Sequence, residues 1–307
     1  MNKGILCISI DTELLWGRLE TDHNPFISRA QKTRRIIKQL LVLFEKYDIP
    51  ATWAIVGSLY IPPNNKVKYS NLWHAPEIIK EIKKHKNQEI ACHSYSHPNF
   101  DQITLKQAET EIKKCIELAK KQGIKLNSFV FPKNIIKHLD SLKKHGFTNY
   151  RGHDKRNWEL LLPTPPPVYT PSKNNGLICI PGSMYFTSSR GTKKYIPGSL
   201  RVIKAKMGIN KAIKESKVFH TWFHPIDLTD QPTKLLGALE NILKYTTGKP
   251  ILTISDSKGF GMTGVIINMF SEGGYIKYEI NKRTLEKSGL IINSLLLNYA
   301  IIIKSDG

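Results

Sequence analysis

Three stretches of the chain gather the side chains best suited to catalysis. The first is "SIDTELLWG", where Asp11 and Glu13 leave an apolar run two positions apart. If that run is a strand, its alternation projects both carboxylates to the same side. Paired carboxylates beside histidines can divide the work, one binding a metal and one acting as a base. An isolated pair of this kind is as often a helix cap or a salt-bridge partner. The second stretch is "EIACHSYSHPNF", with His93 and His97 four apart. Helical metalloprotease sites use this spacing with a glutamate after the first histidine, but here Ser94 follows it. The doublet therefore reads as two residues in the turn that ends a short strand at Cys92, and its spacing alone does not decide between a metal site and a solvated loop. The third stretch, "VFHTWFHPIDL", carries His220 and His224, the latter followed by Pro225.

The elements around these stretches alternate. "ILCISI" at 5 to 10 is an apolar run of strand length, and the segment 31 to 49 places Ile36, Ile37, Leu40, Leu41 and Phe44 on one helical face. "ATWAIVG" is the next strand. Thr104 is placed to cap a helix with apolar positions at Leu105, Ala108, Ile112, Cys115, Ile116 and Ala119, which Gly123 ends. "SFVF" at 128 to 131 is read as a strand, and "IIKHLDSLKKHGF" as a helix. This βαβα succession predicts an α/β fold with a parallel sheet, open or closed into a barrel. The catalytic candidates fall at the C-terminal ends of its strands, where such folds bind ligands. The segment from Leu161 to Gly191, rich in proline, glycine and serine, is expected to be a substrate-facing excursion.

The chain has 307 residues and a formal net charge of +21. Such an excess favours acidic partners. The lysines are nevertheless dispersed, with no run of five or six basic residues, so compositional bias is the simpler account and no nucleic-acid partner is expected. Contact with an anionic membrane surface stays open, as does the oligomeric state. Cys7, Cys92, Cys115 and Cys179 form no CxxC pair and are expected to be free thiols. Neither a signal peptide nor a transmembrane segment is read, so the expected location is the cytoplasm.

Taken in order, "SIDTE", "ATWAIVG", "HSYSH", "FVFPKN" and "WFHPIDL" resemble the NodB-type polysaccharide deacetylases, the carbohydrate esterase family four group, over about residues 4 to 245. The resemblance implies a distorted (β/α) barrel that removes the N-acetyl group from an N-acetylhexosamine in a glycan or glycan precursor, with one divalent metal, usually zinc. It places Asp11 as catalytic base, His224 as general acid, and Glu13, His93 and His97 as metal ligands. Many members have a second aspartate where Thr12 stands here. Many also have an arginine two residues before the proline of the fourth motif, to orient the catalytic aspartate; Val130 takes that place. Lys133 is then expected to supply the charge from the other side of Pro132 and a backbone N–H for the oxyanion. Among Trp16, Trp53, Trp158 and Trp222, Trp16 and Trp222 are the candidates retained for stacking on a sugar, while His220 is expected to be a satisfied core histidine. The alternatives are an inactive glycan-binding relative and a basic nucleic-acid or membrane-surface binder.

The last part, from about residue 248, does not continue the βα repeat. "GFGMTG" at 259 to 264 fits GxGxxG, but a strand-like "VIINMF" follows where a dinucleotide site needs a helix. "GVIINMF", "YIKYEIN" and "SGLIINSLLLNYA" are similar to the C-terminal half of the YfiR-like proteins. A deacetylase domain over 1–247 and an appendage over 248–307, with a hairpin and a helix at 283 to 300, are expected. "PILTIS" is the candidate for a last barrel strand.

Overall fold

The structure, a computed structural model, describes residues 3–18, 22–85, 87–154, 164–249, 251–252, 254–255, 266–272, 275–288 and 300–303. Strand β1 (Gly4–Thr12) leads through helix α1 (Asn24–Lys46) to β2 (Ala51–Ile55), and α2 (Pro76–Lys84) leads to β3 (Gln88–Cys92). Helix α3 (Leu105–Lys121), strand β4 (Ser128–Phe129), helix α4 (Leu139–Lys144) and strand β5 (Asn149–Gly152) follow. Strands β6 (Ser172–Asn174), β7 (Leu177–Pro181) and β8 (Met184–Tyr185) precede α5 (Gly198–Glu215), β9 (Val218–Phe223), α6 (Pro232–Thr246) and β10 (Ile251–Leu252).

These ten strands form one curled sheet in the order β6-β7-β5-β4-β3-β2-β1-β9-β8, with β10 beside the start of β1. Strands β1, β2, β3, β4, β5, β7, β8, β9 and β10 run parallel, and β6 folds back antiparallel on β7. The ends of β1, β3, β4, β5 and β9 therefore open on one rim, as the parallel-sheet reading required. Below that rim the helices bury their apolar faces on the sheet: Ile36, Ile37, Leu40, Leu41 and Phe44 of α1 join Trp53, Phe129, Phe219 and Phe223 in the main core.

Helix α1 begins earlier than its apolar periodicity indicates, because Pro25 stands in its first turn, where a missing N–H costs nothing. Thr104 caps α3 in a full capping box with Gln107, and Gly123 follows the helix with φ +68°. Strand β4 and helix α4 are shorter than the sequence reading. His138 adopts left-handed backbone just before α4, which cuts off the start of the helical run, while β4 ends at Phe129, ahead of the left-handed Lys133 and Asn134. The proline-rich segment supplies β6, β7 and β8 to the sheet, and β7 (Leu177–Pro181) coincides with the strand-like "LICI" within it.

A second sheet contains β11 (Ile254–Ser255), β12 (Ile267–Glu272), β13 (Tyr275–Asn281) and β14 (Ile301–Ile303), with α7 (Lys282–Ser288) between the last two strands. Strands β12 and β13 form the expected antiparallel hairpin, and Ile266, Ile280 and Leu285 pack together. The expected helix is described only as α7. Its continuation to 300 and the "GFGMTG" stretch lie outside the described residues. "PILTIS" is shared: Ile251 and Leu252 pair with β1, whereas Ile254 and Ser255 pair with β12. Among the described residues, no helix is long and apolar enough to cross a membrane.

Candidate active site

Strand alternation assembles the site. On β1, Ser9 and Asp11 face the same side, and Glu13 follows just past its end; on the neighbouring β9, His220 and Trp222 face them, with His224 next. Beyond β3, the segment from His93 to His97 crosses the rim, with Ser94 and His97 in left-handed conformation.

Glu13 is the point of convergence. Its Oε1 lies 3.0 Å from His93 Nε2, 3.0 Å from His97 Nε2 and 3.4 Å from His224 Nε2. His93 and His97 are buried, and the donor atoms of Glu13, His93 and His97 all lie within 4.8 Å of one another. His93 Nδ1 is 2.7 Å from the Val130 carbonyl oxygen, which turns Nε2 toward Glu13. Two imidazoles and one carboxylate, with one imidazole oriented from behind by a backbone carbonyl, are a donor set that fits a divalent cation such as zinc. Burial opposes a charge on Glu13, but the neighbouring His224 and His97 hold its carboxyl well below the usual carboxylate range. A Cβ at residue 17 would lie 1.7 Å from Glu13 Oε2, so Gly17 leaves the space in which that carboxylate rests.

The histidine segment is fastened from below by a residue that the sequence reading passed over. Glu111 of α3 accepts hydrogen bonds from the backbone N–H groups of Tyr95 (2.9 Å) and Ser96 (2.7 Å) and from the Ser96 hydroxyl (2.8 Å). In Glu111→Ala these donors lose their acceptor. Urea unfolding is expected to show a stability loss of about 1–3 kcal/mol, with Glu111→Gln in between. An unchanged midpoint would mean that the segment holds its shape without this carboxylate.

Asp11 is fully enclosed in a second network. Arg151, at the end of β5, donates to both of its oxygens, Nη1 to Oδ1 and Nη2 to Oδ2, each at 2.6 Å. Nη1 also reaches Ser9 Oγ at 3.1 Å, and Asn134 Oδ1 accepts from Nη2 at 2.9 Å. Burial opposes the Asp11 charge, yet Arg151, with His93 and His224 nearby, holds the carboxyl below its usual range. The sequence reading gave this orienting charge to Lys133, which is a correction: Lys133 is exposed, and the guanidinium comes from Arg151.

His224 Nε2 lies 3.8 Å from Asp11 Oδ2, and its Nδ1 lies 3.0 Å from Asp227 Oδ2. Asp227 also accepts from the Tyr185 hydroxyl and pairs with Arg29 at 3.5 Å. Burial disfavours the imidazolium, but Glu13 and Asp227 raise the His224 pKa well above its ordinary value. His220 is buried, with Nε2 2.8 Å from Ser9 Oγ, but its Nδ1 is buried without a hydrogen-bond partner, so it is not the fully satisfied core histidine expected; burial, with Arg151 nearby, lowers its pKa to about 4.

Of the tryptophans, Trp222 borders the site. Its ring lies under the Arg151 guanidinium at 4.3 Å and beside His224, and its Nε1 donates to Asp154. Trp16 is half-buried, edge-on to Trp73, and donates to the Trp73 carbonyl. Trp53 is core, and Trp158 lies outside the described residues. The cysteines are free, as expected.

The curled, mostly parallel α/β sheet thus gathers carboxylates and histidines on one rim. Comparison with known proteins shows likenesses in both family and fold. Residues 22–150 match the polysaccharide deacetylase family, and residues 233–301 match the family described as YfiR/HmsC-like. A peptidoglycan deacetylase from Helicobacter pylori is 34% identical over 119 residues, 36% of this chain and 34% of that protein, so the match spans about a third of that relative's length. The crystal structure of a putative polysaccharide deacetylase from Mycobacterium smegmatis superposes with a TM-score of 0.62 at 16% identity, over 80% of this chain and 84% of that one. For a probable polysaccharide deacetylase from Pseudomonas aeruginosa the TM-score is 0.58 at 14% identity, over 79% and 84%. At such identities the likeness is one of fold. Residues 22–150 are thus similar to the polysaccharide deacetylases and residues 233–301 to the YfiR/HmsC-like proteins.

Proposed function

We propose that this protein is a metal-dependent hydrolase that removes the acetyl group from an N-acetylhexosamine in a glycan or glycan precursor. The observation that carries the reading is the convergence of five side chains: His224 Nε2 lies 3.8 Å from Asp11 Oδ2 and 3.4 Å from Glu13 Oε1, and the donor atoms of Glu13, His93 and His97 lie within 4.8 Å of one another. A divalent cation held by Glu13, His93 and His97, probed first as zinc, would supply Lewis acidity toward the amide carbonyl and toward water.

The chain's own residues account for the proton movements. Asp11, fixed in plane by the two Arg151 bonds, takes a proton from the attacking water, whose oxygen forms the new bond to the acetyl carbon. His224 then gives its Nε2 proton to the sugar nitrogen as the C–N bond breaks, leaving acetate and the free amine. Asp227 at Nδ1 fixes the ring so that Nε2 faces the reaction, the role that a carboxylate plays behind a catalytic imidazole. The backbone N–H of Lys133 is the proposed oxyanion donor, and Trp222 with Trp16 the proposed sugar-facing surfaces. The deacetylase domain is assigned to 1–247 and the YfiR-like appendage to 248–307.

Acetate release from N-acetylglucosamine oligosaccharides tests the reading. Activity is expected in zinc-loaded protein, lost with chelator and restored by zinc. Asp11→Asn, which keeps the shape and removes the base, is expected to lower the rate by about a hundredfold to ten-thousandfold. Full activity in Asp11→Asn, or turnover that chelation leaves untouched, would remove this mechanism. Folded, zinc-loaded protein that binds the sugars without releasing acetate would favour the inactive glycan-binding alternative.

A further inference from the structure

Two buried side chains take no part in the proton movements above, yet their hydrogen bonds lead to Asp11. Ser9 lies two residues before Asp11 on β1, and His220 lies on the neighbouring β9. They meet where Ser9 Oγ lies 2.8 Å from His220 Nε2. Ser9 Oγ also accepts from Arg151 Nη1, the nitrogen that donates to Asp11 Oδ1.

A guanidinium carries five N–H donors and no acceptor. All five are engaged in Arg151. Nη1 and Nη2 each give one to Asp11, Nε (3.2 Å) and Nη2 (2.9 Å) each give one to Asn134 Oδ1, and the last, on Nη1, goes to Ser9 Oγ at 3.1 Å. Asp11 therefore meets the end of the fork, while Asn134 and Ser9 hold its two flanks. Because the planar fork sets the orientation of a carboxylate bound to both its prongs, loss of the Ser9 flank would leave Asp11 less well aligned.

Ser9 presents a lone pair to Arg151 only if its own hydrogen points elsewhere. Arg151 donates only, so of these two partners the imidazole is the one that can accept that hydrogen. This requires a neutral His220 with Nε2 bare and its proton on Nδ1. Neutrality follows from burial and from the nearby Arg151, which bring the pKa to about 4. Nδ1 makes no hydrogen bond, although carbonyl groups of Ile180 and Pro181 near the ring favour a proton on it. A proton on Nδ1 thus leaves one buried group unmet. A proton on Nε2 would leave two, the Ser9 hydroxyl hydrogen and the Nδ1 lone pair, and each unmet group is destabilising.

We propose that Ser9 and His220 are positioning residues for the base: His220 Nε2 takes the Ser9 hydroxyl hydrogen, which turns a Ser9 lone pair to Arg151 and fixes the fork that aligns Asp11. The effect on rate rests on the deacetylase reading, whereas the hydrogen bonds themselves do not.

Nitrogen-15 NMR of the zinc-loaded full chain, labelled in histidine and arginine, tests the link without turnover. Signals lost in His220→Gln and Arg151→Lys assign the two side chains. His220 is expected to carry its proton on Nδ1 with Nε2 bare, and Arg151 to show separate Nη signals because its rotation about the Cζ–Nη bonds is hindered. Ser9→Ala and His220→Leu should each let those Nη signals average. Kinetics on N-acetylglucosamine oligosaccharides then read the positioning. Both variants are expected to lower kcat for acetate release about ten- to a hundredfold with KM unchanged, while still binding about one zinc per chain. The double variant should be no worse than either single one. His220→Gln, whose amide oxygen can accept in place of Nε2, should recover most of the rate. A proton on Nε2, Arg151 signals that ignore both substitutions, effects that add in the double variant, or equal rates in His220→Gln and His220→Leu would overturn the proposal. If His220→Leu fails to fold, Ser9→Ala and the tautomer of the wild type still decide it. The expected tautomer and Arg151 response in a protein that releases no acetate would end the deacetylase reading and leave the Ser9–His220 link standing.

Discussion

Replacing His93 and His97 together by alanine is expected to take bound metal from about one ion per chain to none, and acetate release to background. The expectation follows from how the donors are held. Both imidazoles meet the same Glu13 oxygen, and His93 is turned into place by the Val130 carbonyl. Removing both leaves Glu13 with the His224 imidazole beside it, and one carboxylate with one histidine is a poor site for zinc. Elemental analysis of wild type and variant, each shown to be folded by circular dichroism, makes the measurement. A variant that retains its metal would move the ligands elsewhere, for which Asp11, Glu13 and His224 form a second cluster of donor atoms within 4.8 Å among the described residues. Wild-type protein that takes up no metal even after reconstitution would leave the two histidines as partners of Glu13 and nothing more.

The separate parts of this site were unequally legible in the sequence. Asp11 and Glu13 could be placed on one side because strand alternation is strict, and the histidine segment could be placed at a strand end because Cys92 closes an apolar run. His224 lay two residues beyond Trp222 on a strand bounded by a proline. Arg151 carried no such mark. It stands in "NYRG", one of 46 basic residues, and its contact with Asp11 depends on β5 reaching the same rim two strands beyond β3. Asp227 could have been found, since "HPID" puts a carboxylate three residues after the histidine, within reach of one turn. Glu111 could not, because a glutamate on the polar side of an amphipathic helix looks like any solvated one until the segment above it is known. The start of α4 was misjudged at His138: histidine is among the residue types enriched in left-handed backbone, but inside an apolar helical pattern it does not by itself mark a break.

Removal of the Arg151 side chain is expected to be among the most destabilising single changes in the domain, because it strands a charge. Arg151 and Asp11 have side-chain exposures of 2% and 3%, and breaking such a pair from one side typically costs about 3–5 kcal/mol. The pH dependence gives this its signature. In the wild type the folded-state pKa of Asp11 lies below the ordinary value of 3.8, so its contribution to stability is fully present above that value and is lost as pH falls through the folded pKa. In Arg151→Ala the opposing influence, burial, is left with less to offset it, and the folded-state pKa is expected to move above the unfolded one. The sign then reverses: the variant is penalised at neutral pH and recovers as the carboxyl takes up a proton in acid. Urea unfolding at pH 7 and pH 5 should therefore show a gap between wild type and variant that narrows on acidification. Asp11→Asn in the Arg151→Ala background should recover part of the loss at neutral pH by removing the stranded charge. A gap independent of pH, with no recovery in the double variant, would show that Arg151 stabilises the rim through Ser9, Asn134 and the Trp222 ring, and that its charge on Asp11 contributes little.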